Sequence, residues 1–201
     1  MSASPRVGVL ALQGNFALHA ARLAELGAEV VEVRRPAQLS GLAGLVMPGG
    51  ESTTLLKLMS FEPSWWEALP QFVAEGGALL GTCAGLILLA REVREPAQRS
   101  FGLLDIVVQR NGYGRQIDSF ETTGEWTDGS GELEMVFIRA PRVLELGDNV
   151  EVLARHEGEP VMVRQGRVTC LSFHPELGAD TAVHARFLAS LGQQTAPAEA
   201  S

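Results

Sequence analysis

The chain has 201 residues, 46% hydrophobic and 20% charged, which suits one compact domain whose core needs no disulfide staples. A formal charge of -8 without a basic run gives no footprint for nucleic acid or an acidic membrane surface. Two cysteines, Cys83 and Cys170, make no disulfide framework, and no apolar stretch approaches the roughly 20 residues that span a bilayer. Met1 to Arg6 has neither the basic segment nor the apolar run of a secretory signal, so a cytoplasmic, reducing setting is expected.

Val7 to Leu12 is a continuous apolar run, as expected of a parallel strand buried on both faces. After Gln13-Gly14-Asn15, the spacing of Phe16, Ala20, Leu23, Ala24 and Leu26 predicts a helix stopped by Gly27. Glu29 to Arg34 and Leu45 to Met47 read as the next strands, the latter ending at Pro48-Gly49-Gly50. Glu51-Ser52-Thr53-Thr54 opens a helix with hydroxyls available for capping, and Ser64 with Glu67 has capping-box spacing before Trp65, Leu69, Phe72 and Val73. Gly77 to Leu89 then reads as a buried strand, a tight turn and an apolar helix.

This order predicts an α/β fold, a three-layer sandwich with a mostly parallel central sheet. Beyond residue 100, short strands are expected at 103–109, 119–126, 134–138, 150–155, 161–163 and 168–173. Asp128-Gly129 and Gln165-Gly166 supply turns, so these strands read as antiparallel hairpins extending the same sheet. A closing helix from about Thr181 to Leu191 presents Val183, Phe187, Leu188 and Leu191 on one face. Residues 1–192 are taken as one domain and 193–201 as a disordered tail.

Gly81-Thr82-Cys83-Ala84-Gly85 carries the chemistry. The spacing G-x-C-x-G is the cysteine form of a nucleophile elbow, in which a sharp strand-to-helix turn lifts the nucleophile above the sheet. The flanking glycines allow the close approach, and the helix start beside the sulfur favours a thiolate and then an oxyanion. Ligands of such sheets sit at the carboxyl ends of strands, where Gln13, Gly49-Gly50 and Cys83 all fall. The oxyanion hole is expected from the Ala84 N–H and a backbone N–H of Gly49-Gly50.

A nucleophilic cysteine needs a base and a group that orients it. His19 and His184 fall on helices at positions that suit solvated faces, and His156 adjoins a turn at Glu157-Gly158. His174 follows an apolar strand, and in an extended His174-Pro175-Glu176 the carboxylate lies on the imidazole's side of the chain. Cys170 reads as a small core residue. No Cys/His spacing suggests a metal, and no G-x-G-x-x-G follows a strand.

With Cys, His and Glu in that order, the chain resembles the class I (triad-type) glutamine amidotransferases. Within them it is similar to the glutaminase subunits of pyridoxal 5'-phosphate synthase. The closer likeness rests on Leu12-Gln13-Gly14, residues 48–54, Arg110-Asn111-Gly112-Tyr113-Gly114-Arg115-Gln116, residues 137–141 and residues 172–176. The resemblance implies Cys83 as nucleophile toward the side-chain amide of L-glutamine, His174 as proton carrier and Glu176 as its orienting group. It further implies Gly50, Glu51, Ser52, Arg110, Ile138 and Arg139 at the substrate, with Gln13 near the oxyanion hole and partner interface. Ammonia would pass to a synthase subunit, a (β/α)8 barrel, with pyridoxal 5'-phosphate a product of the complex and no cofactor of this chain. A glutaminase serving another synthase, a stand-alone cysteine hydrolase and a non-catalytic binding module are the competing readings.

Overall fold

A computed structural model of the chain describes residues 4–112 and 119–192. Residues 113–116 of the glycine-rich motif and the tail at 193–201 lie outside the described residues. The first half alternates strand and helix as its periodicity requires: β1 (Arg6–Leu10), α1 (Phe16–Glu25), β2 (Glu29–Val33) and β3 (Gly44–Met47). Helices α2 (Ser52–Ser60) and α3 (Trp65–Ala74) precede β4 (Ala78–Thr82), which runs through Cys83 into α4 (Ala84–Leu89). Next come β5 (Ala90–Arg94), β6 (Leu104–Gln109), β7 (Ser119–Trp126), β8 (Glu132–Ile138), β9 (Arg142–Leu146), β10 (Glu151–His156), β11 (Glu159–Gln165) and β12 (Val168–Leu171). Helix α5 (Ala182–Leu191) closes the fold.

Among the described residues, nine strands form one sheet in the order β2-β1-β3-β4-β12-β11-β10-β7-β8. From β2 to β12 the neighbours are parallel, and from β12 to β8 they are antiparallel. Pairing between β10 and β11 shifts register around Ala154, a bulge that bends the antiparallel half. β5, β6 and β9 form a separate three-stranded sheet. This corrects the expectation that every strand after residue 100 extends the main sheet. The apolar positions Val93, Leu104, Ile106, Val108 and Val143 belong to the core built on α2, α3 and α4, so these strands pack there.

Side-chain alternation along the central strands separates two cores, because successive residues of a strand face opposite sides. Val9, Val46 and Leu80 point to the side holding Leu23 of α1 and Val183 and Phe187 of α5. Leu45, Met47 and Leu79 point to the side holding Leu55, Met59, Trp65 and Leu69. Helices on both faces make the three layers. No helix among the described residues is long and apolar enough to cross a membrane.

The expected hydroxyl caps do not form. Glu51 is the residue before α2 and makes no side-chain cap, and Ser64 is itself helical in backbone, so its hydroxyl makes none either.

The elbow depends on one close approach. A Cβ on Gly85 would strike the Met47 carbonyl oxygen, with the Met47 carbonyl carbon at 3.1 Å, and a Cβ on Gly81 would meet Gly85 at 2.9 Å. Helix α4 therefore lies directly on the end of β3. Gly85→Ala is expected to destabilise the protein by roughly 1–3 kcal/mol through overpacking against backbone that cannot yield. Chemical denaturation of variant and wild type checks this, and an unchanged midpoint would mean that α4 can move away freely.

Candidate active site

Cys83 occupies the turn between β4 and α4 with φ 48° and ψ −99°, a backbone conformation that L residues rarely adopt. Holding it there costs on the order of 1–3 kcal/mol, which the surrounding hydrogen bonds offset. The Cys83 N–H donates to Leu171 of β12 at 2.8 Å, and its carbonyl accepts from Ile87 of α4 at 3.2 Å. The side chain is buried, with Sγ 3.9 Å from the carbonyl oxygen of Ile138 at the end of β8. Gly49 closes the other side: a Cβ there would strike the His174 ring and lie 3.2 Å from Cys83 Cβ. Sulfur and imidazole thus meet over a peptide that only glycine permits.

His174 is placed by its backbone, whose N–H donates to Val136 of β8 at 2.8 Å. Its carbonyl accepts from Leu177 at 3.3 Å, closing a turn through Pro175 and Glu176. The expected extended His-Pro-Glu is therefore a β-turn, since proline's fixed φ suits the second position of one. The turn still delivers the carboxylate: Glu176 Oε1 is 2.8 Å from His174 Nδ1 and accepts from Asn15 Nδ2 at 3.2 Å. Burial opposes charge on His174, but hydrogen bonds with Cys83 and Glu176 outweigh it and push its pKa up to about 10. Burial likewise pushes the Glu176 carboxyl up, yet His174 and His19 together hold it well below the usual carboxylate range.

His19 and His184 do not lie on solvated faces. Both are fully buried, with His19 Nδ1 2.9 Å from His184 Nε2. The reason is helical phase. His19 shares a stripe with Leu23, four residues on, and His184 shares one with Phe187, so both turn toward the core beneath β4.

A cleft of about 270 Å³ opens above the sulfur, lined by residues that include Gln13, Gly50, Glu51, Ser52, Cys83, Arg110, Ile138, Arg139 and His174. Every residue expected at the substrate borders it. At the mouth Arg110 Nη2 donates to Glu51 Oε1 at 3.2 Å, and Arg139 Nη2 lies 4.0 Å from Glu51 Oε2. Arg139 has φ 42°, so its backbone is also strained where β8 ends. A carboxylate between two guanidiniums suits a zwitterion, which can exchange one ionic partner for each of its own charges. Gln13 Oε1 accepts the Glu51 N–H at 2.9 Å, fixing the Gly50-Glu51 segment from the end of β1. Ser52 is committed differently: its hydroxyl donates to Gln98 Oε1 at 2.9 Å.

Of the backbone donors expected at the oxyanion, the Gly49 N–H is turned away and donates to Thr82 Oγ1 at 2.9 Å. Ala84 is the first residue of α4, and Gly50, with φ 156°, lies in the cleft wall. Asn15, Thr82 and Gln98 are not singled out by sequence, and His19 and His184 are read there as solvated. Four-residue spacing from Asn15 to His19 is the available signal, since it sets the residue that precedes α1 one turn from His19. Among the described residues no three His, Cys, Asp or Glu side chains cluster as a metal site.

The family model described as SNO glutamine amidotransferase family matches residues 9–193. The chain is 54% identical over 183 residues to pyridoxal 5'-phosphate synthase subunit PdxT of Koribacter versatilis, covering 91% of this chain and 94% of that one. It is 50% identical over 193 residues to the subunit of the same name from Deinococcus radiodurans, covering 94% and 98%. A crystal structure of a glutamine amidotransferase superposes with a TM-score of 0.87 at 49% identity, covering 93% of this chain and 99% of that one. PurLQS from Thermotoga maritima shares the fold at a TM-score of 0.70 and 17% identity, over 94% of this chain and 100% of that one. The chain belongs to the SNO glutamine amidotransferase family.

Proposed function

We propose that the chain is the glutaminase subunit of a pyridoxal 5'-phosphate synthase, hydrolysing L-glutamine to L-glutamate and ammonia. The observation that carries this reading is the His174–Glu176 contact of 2.8 Å, set against Cys83 in a cleft whose mouth is ionic. Glutamine enters with its α-carboxylate toward Arg110 and Arg139, its α-ammonium toward Glu51 and its side-chain amide toward the sulfur.

The Cys83 thiolate attacks the amide carbon, and the developing oxyanion is met by the N–H groups of Ala84 and Gly50, the Gly49 N–H being held by Thr82. The C–N bond breaks as the His174 imidazolium gives its proton to the leaving nitrogen, releasing ammonia and leaving a γ-glutamyl thioester. His174, now neutral, takes a proton from water as that water attacks the thioester. Glutamate departs, and thiolate and imidazolium are restored. Glu176 stays ionised throughout and holds the imidazole in orientation.

Ammonia then passes to a synthase subunit, a (β/α)8 barrel, that joins it to a pentose phosphate and a triose phosphate. Pyridoxal 5'-phosphate is the product of that complex, and this chain needs no cofactor. It works in the cytoplasm, with neither nucleic acid nor membrane as partner. The names borne by relatives from Koribacter versatilis and Deinococcus radiodurans support this assignment.

The test is the purified chain mixed with a barrel-type synthase subunit, both sugar phosphates and glutamine. Pyridoxal phosphate absorbance should appear only with all components present; appearance without this chain from glutamine alone would sink the assignment. In that mixture Cys83→Ala should lower glutamine-dependent ammonia release by at least about a thousandfold. Arg110→Ala should raise the KM for glutamine by about 10–100-fold with a smaller change in kcat, as loss of a charge-assisted pair predicts.

His174 supplies a pH test. Its pKa lies above the free value of 6.5, so the protonated ring stabilises the fold fully below about 6.5 and that contribution is lost as pH rises through about 10. The His174 Cε1–H resonance should therefore report imidazolium at pH 8, with a midpoint that falls in Cys83→Ala. A midpoint near 6.5 in the wild type would remove the imidazolium from the mechanism.

A further inference from the structure

Beneath the triad lies a set of buried polar groups that the reaction itself does not use. Thr82, His19 and His184 are all 0% exposed and come from β4, α1 and α5. His19 Nε2 stands 3.2 Å from Glu176 Oε2 and 3.3 Å from Thr82 Oγ1. Thr82 Oγ1 in turn accepts the Gly49 N–H at 2.9 Å. Glu176 Oε2 has no well-aligned hydrogen bond among the described residues, so His19 is the donor-bearing group that faces it.

Proton placement follows from the contacts. A carboxylate oxygen beside Nε2 favours a proton on that nitrogen, because a lone pair there would face negative charge, and this one N–H is shared between Thr82 Oγ1 and Glu176 Oε2. Nδ1 of His19 is then the acceptor for His184 Nε2–H, across 2.9 Å. This leaves His184 Nδ1 as a bare lone pair, in keeping with its having no hydrogen-bond partner among the described residues. The other charged groups around the pair are His174, which shares Glu176, and Arg22, which donates to the Gly178 carbonyl at 2.7 Å. Burial, then the neighbouring His19, lowers the His184 pKa to about 3, so that ring stays neutral.

We infer that His19 is a positioning residue that ties the Glu176 carboxylate to the Gly49 peptide through Thr82, with His184 fixing its tautomer. One buried imidazole then sets both the group that orients the base and the peptide that flanks the oxyanion. The inference rests on the glutaminase reading for its kinetic consequences, but the tie itself is a property of the folded chain.

The test compares His19→Leu, which removes the Nε2 donor, with His19→Gln, whose amide nitrogen can take its place. In complex with the synthase subunit, His19→Leu should lower kcat for glutamine about 10–100-fold per labelled active site, with KM within about twofold. His19→Gln should stay within about fivefold of wild type. Thr82→Val should mimic His19→Leu, Thr82→Ser should not, and the double variant should be no worse than the poorer single one.

Amide exchange at Gly49 is read separately, on the chain without substrate. It should be at least about tenfold faster in His19→Leu and unchanged in His19→Gln. Equal Gly49 exchange in both would overturn the tie whatever the enzyme does, and additive losses or a kcat for His19→Leu within about twofold of wild type would overturn the kinetic role. Absence of glutaminase activity in the wild type would instead refute the functional reading and leave the Gly49 result to decide the tie. If His19→Leu does not fold, the Thr82 pair gives the same decision.

Discussion

The site depends on how closely the first turn of α4 lies on the end of β3. Gly85 leaves no atom between its backbone and the Met47 carbonyl, and Gly81 leaves none between β4 and the returning helix. With those two approaches fixed, Cys83 has no freedom to relax from its positive φ, and its backbone is pinned to β12 and α4. The strain is local and the restraint is distributed. Strand pairing, two glycine contacts and a helix hydrogen bond together hold one sulfur facing a cleft.

The imidazole is held by a different logic. His174 is carried by a turn rather than a strand, hydrogen-bonded to β8 on one side and closed by Leu177 on the other. Its carboxylate partner comes from that same turn, so the His174–Glu176 pair is preassembled before either meets Cys83. Elbow and turn are independent local structures. What joins them is the adjacency of β4 and β12, parallel neighbours whose carboxyl ends lie side by side.

Much of this was legible in the sequence, and the failures have physical causes. Continuous apolar runs at β1, β3 and β4 and the G-x-C-x-G spacing pointed to the parallel half and the elbow, because burial on both faces leaves no alternation to misread. Strand β5 escaped because Ala90-Arg91-Glu92-Val93-Arg94 continues an apolar helix with charged residues, as a helix end would. β9 escaped because Val143 is its one buried side chain. His19 and His184 were misplaced because an imidazole on an amphipathic helix suits either face, and only the helical phase shared with Leu23 and Phe187 decides. The Ser64 cap failed because backbone before α3 is already helical, which spacing alone does not reveal.

The long antiparallel run has a consequence for the whole molecule. Five strand spacings of about 4.8 Å separate β4 from β8, so a flat sheet would hold them about 24 Å apart. Yet the β8 residue Ile138 presents its carbonyl to the Cys83 sulfur at 3.9 Å, and Val136 of that strand anchors His174. The sheet must curl back on itself like a cupped hand, with the bulge around Ala154 at its bend. The Cys83 sulfur and the wall that faces it are therefore opposite rims of one continuous hydrogen-bonded surface, and the width of the cleft is set by curvature in strands that never touch it.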